Sequence, residues 1–179
     1  MTVKKQFIYA ILTAILAGVV TYVTQAMGGW PVKSCMDAGT QLTYISFGTW
    51  ACYFVCGCNP KGAANWFLSM AFGIVCAIFM FVLTFLFMPA TGYLIGVSVA
   101  VVILVIVMMF TDRMKLNSAG VFIGTAFYFA LNASGALTTF TAGDYIMAGV
   151  AELIYTFIGL LAGYITIWFA GLVTKNSEE

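Results

Sequence analysis

Apolar residues fill this chain in long unbroken runs, neither on one helical face nor on alternate positions. The runs stand approximately at residues 6–27, 41–58, 64–88, 92–110, 118–132 and 145–173. The short stretches between them hold most of the Pro, Asn and charged residues. A bilayer core about 30 Å thick needs roughly 20 apolar residues of helix to cross it. Inside lipid the backbone must satisfy its own hydrogen bonds, which a helix does within one segment. The pattern therefore predicts an all-α membrane protein, with six transmembrane helices in a single transmembrane domain over residues 1–179. The second and fifth runs are the shortest, and the sixth is long enough to tilt or to begin at the interface. Lys4 and Lys5 ahead of the first run, and Thr24-Gln25-Ala26 at its end, resemble a signal peptide. The run exceeds the roughly 7–15 residues of a signal core, and it is read as a true span.

Composition agrees with the pattern. Of 179 residues 63% are hydrophobic and 7% charged, with no His, whereas soluble domains carry roughly 25% charged residues. A net charge of +1 excludes nucleic acid as a partner, since phosphate binding needs clustered Lys and Arg. Cys35, Cys52, Cys56, Cys58 and Cys76 do not form a zinc or thioredoxin spacing, and no His completes a metal set. They are read as small apolar packing residues. No cofactor and no metal are expected.

The basic residues orient the spans. With the N-terminus inside, Lys4, Lys5, Lys61, Arg113, Lys115 and Lys175 are all cytoplasmic and Lys33 alone is outside, as the positive-inside bias requires. Both termini are then cytoplasmic. Trp30, Trp66, Tyr93, Tyr145 and Trp168 fall near span ends, where aromatic side chains anchor at the interface.

The two halves of the chain resemble each other around the short runs. Gly48-Thr49, Tyr53-Phe54 and Asn59-Pro60-Lys61-Gly62-Ala63 are matched in order by Gly124-Thr125, Tyr128-Phe129 and Asn132-Ala133-Ser134-Gly135-Ala136. Three spans per half give the halves opposite orientation, a 3+3 inverted repeat. Such repeats are common in transporters, with the site at their interface near the midplane, and short or interrupted spans in matching positions point to it. Asn59 and Asn132 are each placed to cap a following helix end through the side-chain oxygen. Two ordinary loop-and-cap sequences account for the same residues.

Ionisable groups inside a bilayer are costly and mark functional positions by default. Glu152 is the one acidic residue well inside a predicted span; Asp144 sits at that span's outer end and Asp37 in the first outer loop. Glu152 is expected to bind a cation or proton, or else to be a protonated acid bonded to a neighbouring helix. The second candidate is an aromatic group on the short runs, Trp50, Tyr53, Phe54, Phe127, Tyr128 and Phe129, which lines a narrow path and attracts small cations or simply packs. Thr49 and Thr125 offer hydroxyls beside Gly. Small residues at four-residue spacing, Ser69, Gly73 and Ala77, then Gly159 and Gly163, allow close helix approach. Catalysis is not expected: there is no His, no paired acids at helical spacing and no phosphate loop.

The stretch Ile45 to Val82, with Trp50-Ala51-Cys52-Tyr53-Phe54 and Pro60-Lys61-Gly62, and Phe122-Ile123-Gly124-Thr125-Ala126 with Phe129-Ala130, resemble a bacterial inner-membrane family of unknown function (DUF 1097) of small multi-span proteins. The resemblance implies an inner (cytoplasmic) membrane location and the six-span layout, and supplies no substrate or site residue. The residues themselves suggest a channel or facilitator for a small neutral or weakly cationic solute such as urea, an amide, ammonia or a small amine. The expected solute pathway holds Thr49, Trp50, Tyr53, Phe54, Asn59, Thr125, Phe127, Tyr128, Phe129, Asn132 and Glu152. A proton- or cation-coupled transporter using Glu152, and a non-transporting structural or regulatory subunit, are the alternatives. The expected partners are the bilayer and the solute, with a homo-oligomer of closed symmetry compatible with so small a chain.

Overall fold

The computed structural model describes residues 2–135, 137 and 141–175. The elements are α1 (Val3–Met27), α2 (Lys33–Asp37), α3 (Thr43–Val55), α4 (Pro60–Thr91), α5 (Tyr93–Met109), a 3-10 turn at Thr111–Met114, α6 (Ser118–Ala133) and α7 (Ala142–Lys175). The six longer helices fall on the six apolar runs, and α2 is a short addition in the loop after α1. α1, α4 and α7 are long and apolar enough to cross a membrane, which marks the chain as a membrane protein. α5, α6 and α3 have 17, 16 and 13 residues, and at 1.5 Å per residue α3 is only about 20 Å long. The run 41–58 yields so short a helix because Gly57 and Cys58 take φ of 95° and 55°, which no helix continues through.

Local sequence explains the helix ends. Gly28 closes α1 with φ 54°. Asn59 accepts from Gly62 N at 2.8 Å, and Pro60 follows as first residue of α4, where its missing N–H costs nothing. Asn117 caps α6 by accepting from Gly120 N at 3.1 Å. At the start of α7 Thr141 and Asp144 form a capping box: Thr141 N donates to Asp144 Oδ2 at 3.0 Å, and Asp144 N donates to Thr141 Oγ1 at 3.3 Å.

The chain divides into two compact units. Unit 1 comprises 1–63 and 154–179, and unit 2 comprises 64–153. In unit 1, α3 packs against the second half of α7, with Val20, Trp50 and Ala162 in one apolar cluster. In unit 2, α4 turns back through Gly92 into α5; Gly96 of α5 lies so close to α4 that a Cβ there would be 3.2 Å from Thr84 O. Cys76, Met80, Leu104, Met108 and Val121 form the core between α4, α5 and α6. Trp66, expected at the membrane interface, is instead buried in this unit, because Gly120 leaves room for its ring. Trp30, Tyr93 and Trp168 are exposed.

Candidate functional site

In unit 1 the expected site residues of α3 are consumed by helix packing. Ser46 donates to Tyr155 O at 2.8 Å, and Tyr155 Oη accepts from Gly29 N at 3.2 Å, fixing the loop that leads to α3. Thr49 is buried and donates to Ile45 O at 2.8 Å. Its hydroxyl and the backbone of Ser46 occupy the space a side chain at Gly159 would need, and Tyr53 fills the space beside Gly163. Trp50 Nε1 donates to Thr166 Oγ1 at 3.1 Å. Tyr53 is 1% exposed, and its hydroxyl has no hydrogen-bond partner among the described residues. Phe54, on the next position, is 42% exposed and turns away from this core. Thr49, Trp50 and Tyr53 thus lie together along one face of α7, while Phe54 and the exposed cap Asn59 do not join them.

In unit 2 the same kind of contact recurs between α6 and α4. Ser69 Oγ accepts from Asn117 N at 2.8 Å, and Thr125 donates to Gly73 O at 2.9 Å and to Val121 O at 3.0 Å. Gly73 and Gly124 admit this approach; a Cβ on Gly124 would be 2.8 Å from Met70 Cα. Tyr128 is fully buried and donates to Tyr145 O at 2.7 Å. Phe127 and Phe129 are half-buried, and Phe129 stacks at 4.9 Å on Phe81. Asn132 departs from expectation. It lies inside α6, and its amide nitrogen donates back to Tyr128 O at 2.8 Å rather than capping a following helix. An Asn in the last turn of a helix has the carbonyl one turn earlier within reach as a local acceptor. Asn132 Oδ1 is buried, with no hydrogen-bond partner among the described residues. Ala136, the last residue of the second matched stretch, lies outside the described residues.

Glu152 is the acid of this unit. It sits ten residues into α7, which places it about 15 Å along the helix axis from Ala142. It is fully buried, within electrostatic range of Tyr128, and neither carboxyl oxygen has a hydrogen-bond partner among the described residues. An ionised carboxylate in such surroundings costs several kcal/mol, on the order of a buried unpaired ion after relaxation. A proton or a cation on the carboxylate removes that cost.

Unit 2 also contains a cavity of about 250 Å³ lined by Phe81, Phe85, Tyr93, Phe129, Asn132 and Tyr145, with Thr84 and Ala133 completing it. Thr84 spends its hydroxyl proton on Met80 O at 2.7 Å. Phe81 organises the ring wall, with Tyr145 at 5.5 Å and Tyr128 at 6.1 Å between centroids. Sequence reasoning singled out Phe129 and Asn132 here and missed Phe81, Phe85 and Tyr93. Those three come from α4 and α5, outside the matched short runs, and no spacing in the sequence ties them to α6. Tyr155 and Thr166 were missed for the same reason, since each is one hydroxyl in an apolar run.

No curated protein and no solved structure matches the chain. The family model described as Protein of unknown function (DUF1097) matches residues 10–171. That span holds both short helices, Glu152 and the whole wall of the cavity, and the chain therefore belongs to the DUF1097 family of proteins of unknown function.

Proposed function

We propose that the chain carries a small neutral or weakly cationic solute across a membrane, with Glu152 binding the proton or cation that couples the movement. The observation behind this reading is the fully buried carboxyl group of Glu152, within an apolar helix and with neither oxygen partnered among the described residues. A group so costly to bury is retained for what it binds. Among rival uses of one carboxyl, catalysis would require a second acid, base or metal beside it. Among the described residues no three His, Cys, Asp or Glu side chains come together as a metal set.

The packing of the two units supports an inverted repeat beneath this function. In each, a glycine of a long helix receives a threonine of a short one, Gly159 with Thr49 and Gly73 with Thr125. Four residues earlier on each long helix a hydroxyl, Tyr155 or Ser69, accepts from a backbone N–H of the loop preceding the short helix. Three residues earlier again on the same two helices stand Glu152 and Trp66, both in unit 2, whose buried polar atoms have no hydrogen-bond partner among the described residues. A six-span, 3+3 arrangement with both termini cytoplasmic, in a bacterial inner membrane, follows from this reading together with the basic loops. Passive facilitation is the second reading, favoured by the uncharged lining of the unit 2 cavity.

Reconstitution into proteoliposomes decides between them. Accumulation of a solute from a panel of urea, amides, amines and ammonium, driven by a proton or sodium gradient and lost in Glu152→Gln, is the expected result. Gradient-independent flux retained by Glu152→Gln would establish the facilitator. No flux across the panel would favour a structural or regulatory subunit.

A further inference from the structure

Within unit 1 the start of α1 and the end of α7 leave a groove of about 420 Å³ between them, lined by Lys4, Lys5, Ile8, Leu12, Leu172 and Val173 with Thr2 at its mouth. One wall is written in the spacing of α1, since residues 4, 8 and 12 recur at four-residue steps and share a helix face. Lys4 is exposed at the mouth, and Ile8 and Leu12 lie about 6 and 12 Å deeper along the axis. One turn further in, Leu16 and Ala17 pack with Ile158 on the cluster of Val20, Trp50 and Ala162, which closes the groove. It is therefore a wedge, basic at its mouth and apolar below. Both helices are long and apolar enough to cross a membrane, so the mouth stands at the boundary between lipid and water.

Among the described residues no acidic side chain lines this wedge, and the first turn of α1 contains none. Lys5 is half-buried and has an interaction of its own within the chain, so Lys4 carries the argument and Lys5 adds its charge. A lysine stem can lie along apolar surface while its ammonium stays at headgroup level, where it attracts anionic lipid. A soluble anion would meet the charge and leave the apolar wall bare. A neutral lipid would fill the wall and leave the charge unmet. A second copy docking symmetrically on this face would bring its own Lys4 and Lys5 to the same place. We infer that the wedge binds one anionic phospholipid, its phosphate at Lys4 and Lys5 and an acyl chain along Ile8, Leu12 and Leu172. Binding of this lipid requires nothing of Glu152 or of transport.

The test is native mass spectrometry of the full-length protein released from maltoside micelles, titrated with phosphatidylglycerol or phosphatidylcholine of identical chains. One phosphatidylglycerol should be retained about 5- to 25-fold more tightly than phosphatidylcholine, at about fivefold per lysine. Lys4→Gln should lose about fivefold of that preference, and Lys4→Gln with Lys5→Gln should bring the two lipids level. Lys61→Gln with Lys115→Gln removes the same charge outside the wedge and should keep the preference within about twofold of the native protein. Ile8 is 42% exposed, so Ile8→Trp leaves the fold intact; it keeps both lysines, fills the wedge and should abolish the first retained phosphatidylglycerol. Glycerol phosphate, which has the charge without the chains, should give no saturable adduct. Equal retention of the two lipids, a preference that survives loss of both lysines, or one lost equally in the Lys61 and Lys115 variant overturns the assignment. Retention of glycerol phosphate equal to that of phosphatidylglycerol would make the mouth a site for soluble anions and overturn it too. Phosphatidylglycerol binding seen only in Glu178→Gln with Glu179→Gln would give the lysines to those two acids instead.

Discussion

Replacing Glu152 with methionine tests whether the carboxyl group serves the fold or a ligand. The side chain is fully buried, and neither oxygen has a partner among the described residues. A buried polar group left unpaired costs about 1–3 kcal/mol even when uncharged, and more as an ion. Methionine has similar length and no polar atoms, and adapts to irregular space, so it adds little overpacking. The expected outcome is a stability gain of about 1–3 kcal/mol for Glu152→Met, with gradient-driven accumulation abolished. Glu152→Gln keeps the polarity and should leave stability within about 1 kcal/mol while also losing coupling. Reversible unfolding in mixed micelles, followed by circular dichroism and fitted for the free-energy difference, provides the measurement. A loss of about 3 kcal/mol or more in Glu152→Met would refute the reasoning, because losses of that size follow removal of one partner of a buried pair. Unchanged coupling in either variant would refute the role assigned to the carboxyl.

Gly73→Val should destabilise unit 2 by about 1–3 kcal/mol through overpacking, since a Cβ there would be 3.0 Å from Thr125 N and closer still to Val121 O; a neutral effect in the same unfolding assay would remove the α4–α6 contact. Gly163→Leu should disrupt unit 1 comparably by displacing the Tyr53 ring, read as new tyrosine exposure in near-ultraviolet absorbance. Thr141→Ala should cost about 1 kcal/mol through loss of the cap at α7, and no change in stability would contradict the capping geometry. Burial pushes the Cys35 thiol from its ordinary 9.0 up to about 11. At pH 8 it holds about a hundredfold less of the reactive thiolate than an ordinary cysteine, and alkylation of a Cys35-only variant should accelerate as pH rises through 11; fast labelling at pH 8 would contradict this. If both termini lie inside, as proposed, Cys58, which is half-buried, should react with an impermeant maleimide only in inverted vesicles, and labelling from the outer face would reverse the proposed topology.

The helices were legible in the sequence because each apolar run lies on one helix, and the ends of the first three runs are marked by Gly28, Asn59 and Pro89. The positions that pack were legible in part. Gly73, Gly159 and Gly163 stood out by spacing, and all three are points of close approach. What spacing does not encode is the partner. Thr49, Trp50 and Tyr53 read as pathway residues because hydroxyls and rings on a short span suit a solute equally well. Their actual fate is set by Thr166 and Gly159, over a hundred residues away. Trp66 misled for the opposite reason: its place near a span end suggested an interfacial anchor, and only the absence of a side chain at Gly120 lets it turn inward. Asn132 resembles Asn59 in sequence, yet the one follows its helix inward and the other precedes a proline, and the neighbouring residue decides which of them caps.

The recurrence between the units separates what the scaffold needs from what it does not. A short helix can be held against a long one only where both are small at the crossing, which accounts for Gly73 and Gly159. A loop N–H drawn below the surface needs an acceptor, which accounts for the hydroxyls of Ser69 and Tyr155 one turn earlier. Those two positions are fixed by packing and hydrogen bonding in both halves. The position three residues further back carries no such duty, since its polar atoms have no hydrogen-bond partner among the described residues in either half. Its occupants differ in kind, an indole at Trp66 and a carboxyl at Glu152. An indole there can be tolerated as bulk, its single N–H being a minor expense beside a large apolar ring. A carboxyl supplies little bulk and a large desolvation cost, and nothing in the repeated contact asks for one. If one half of a repeat meets the structural requirement with an aromatic residue, the acid in the other half has its reason outside the fold. Glu152→Trp, which makes the halves alike at this position, should therefore lose coupling whatever its effect on packing.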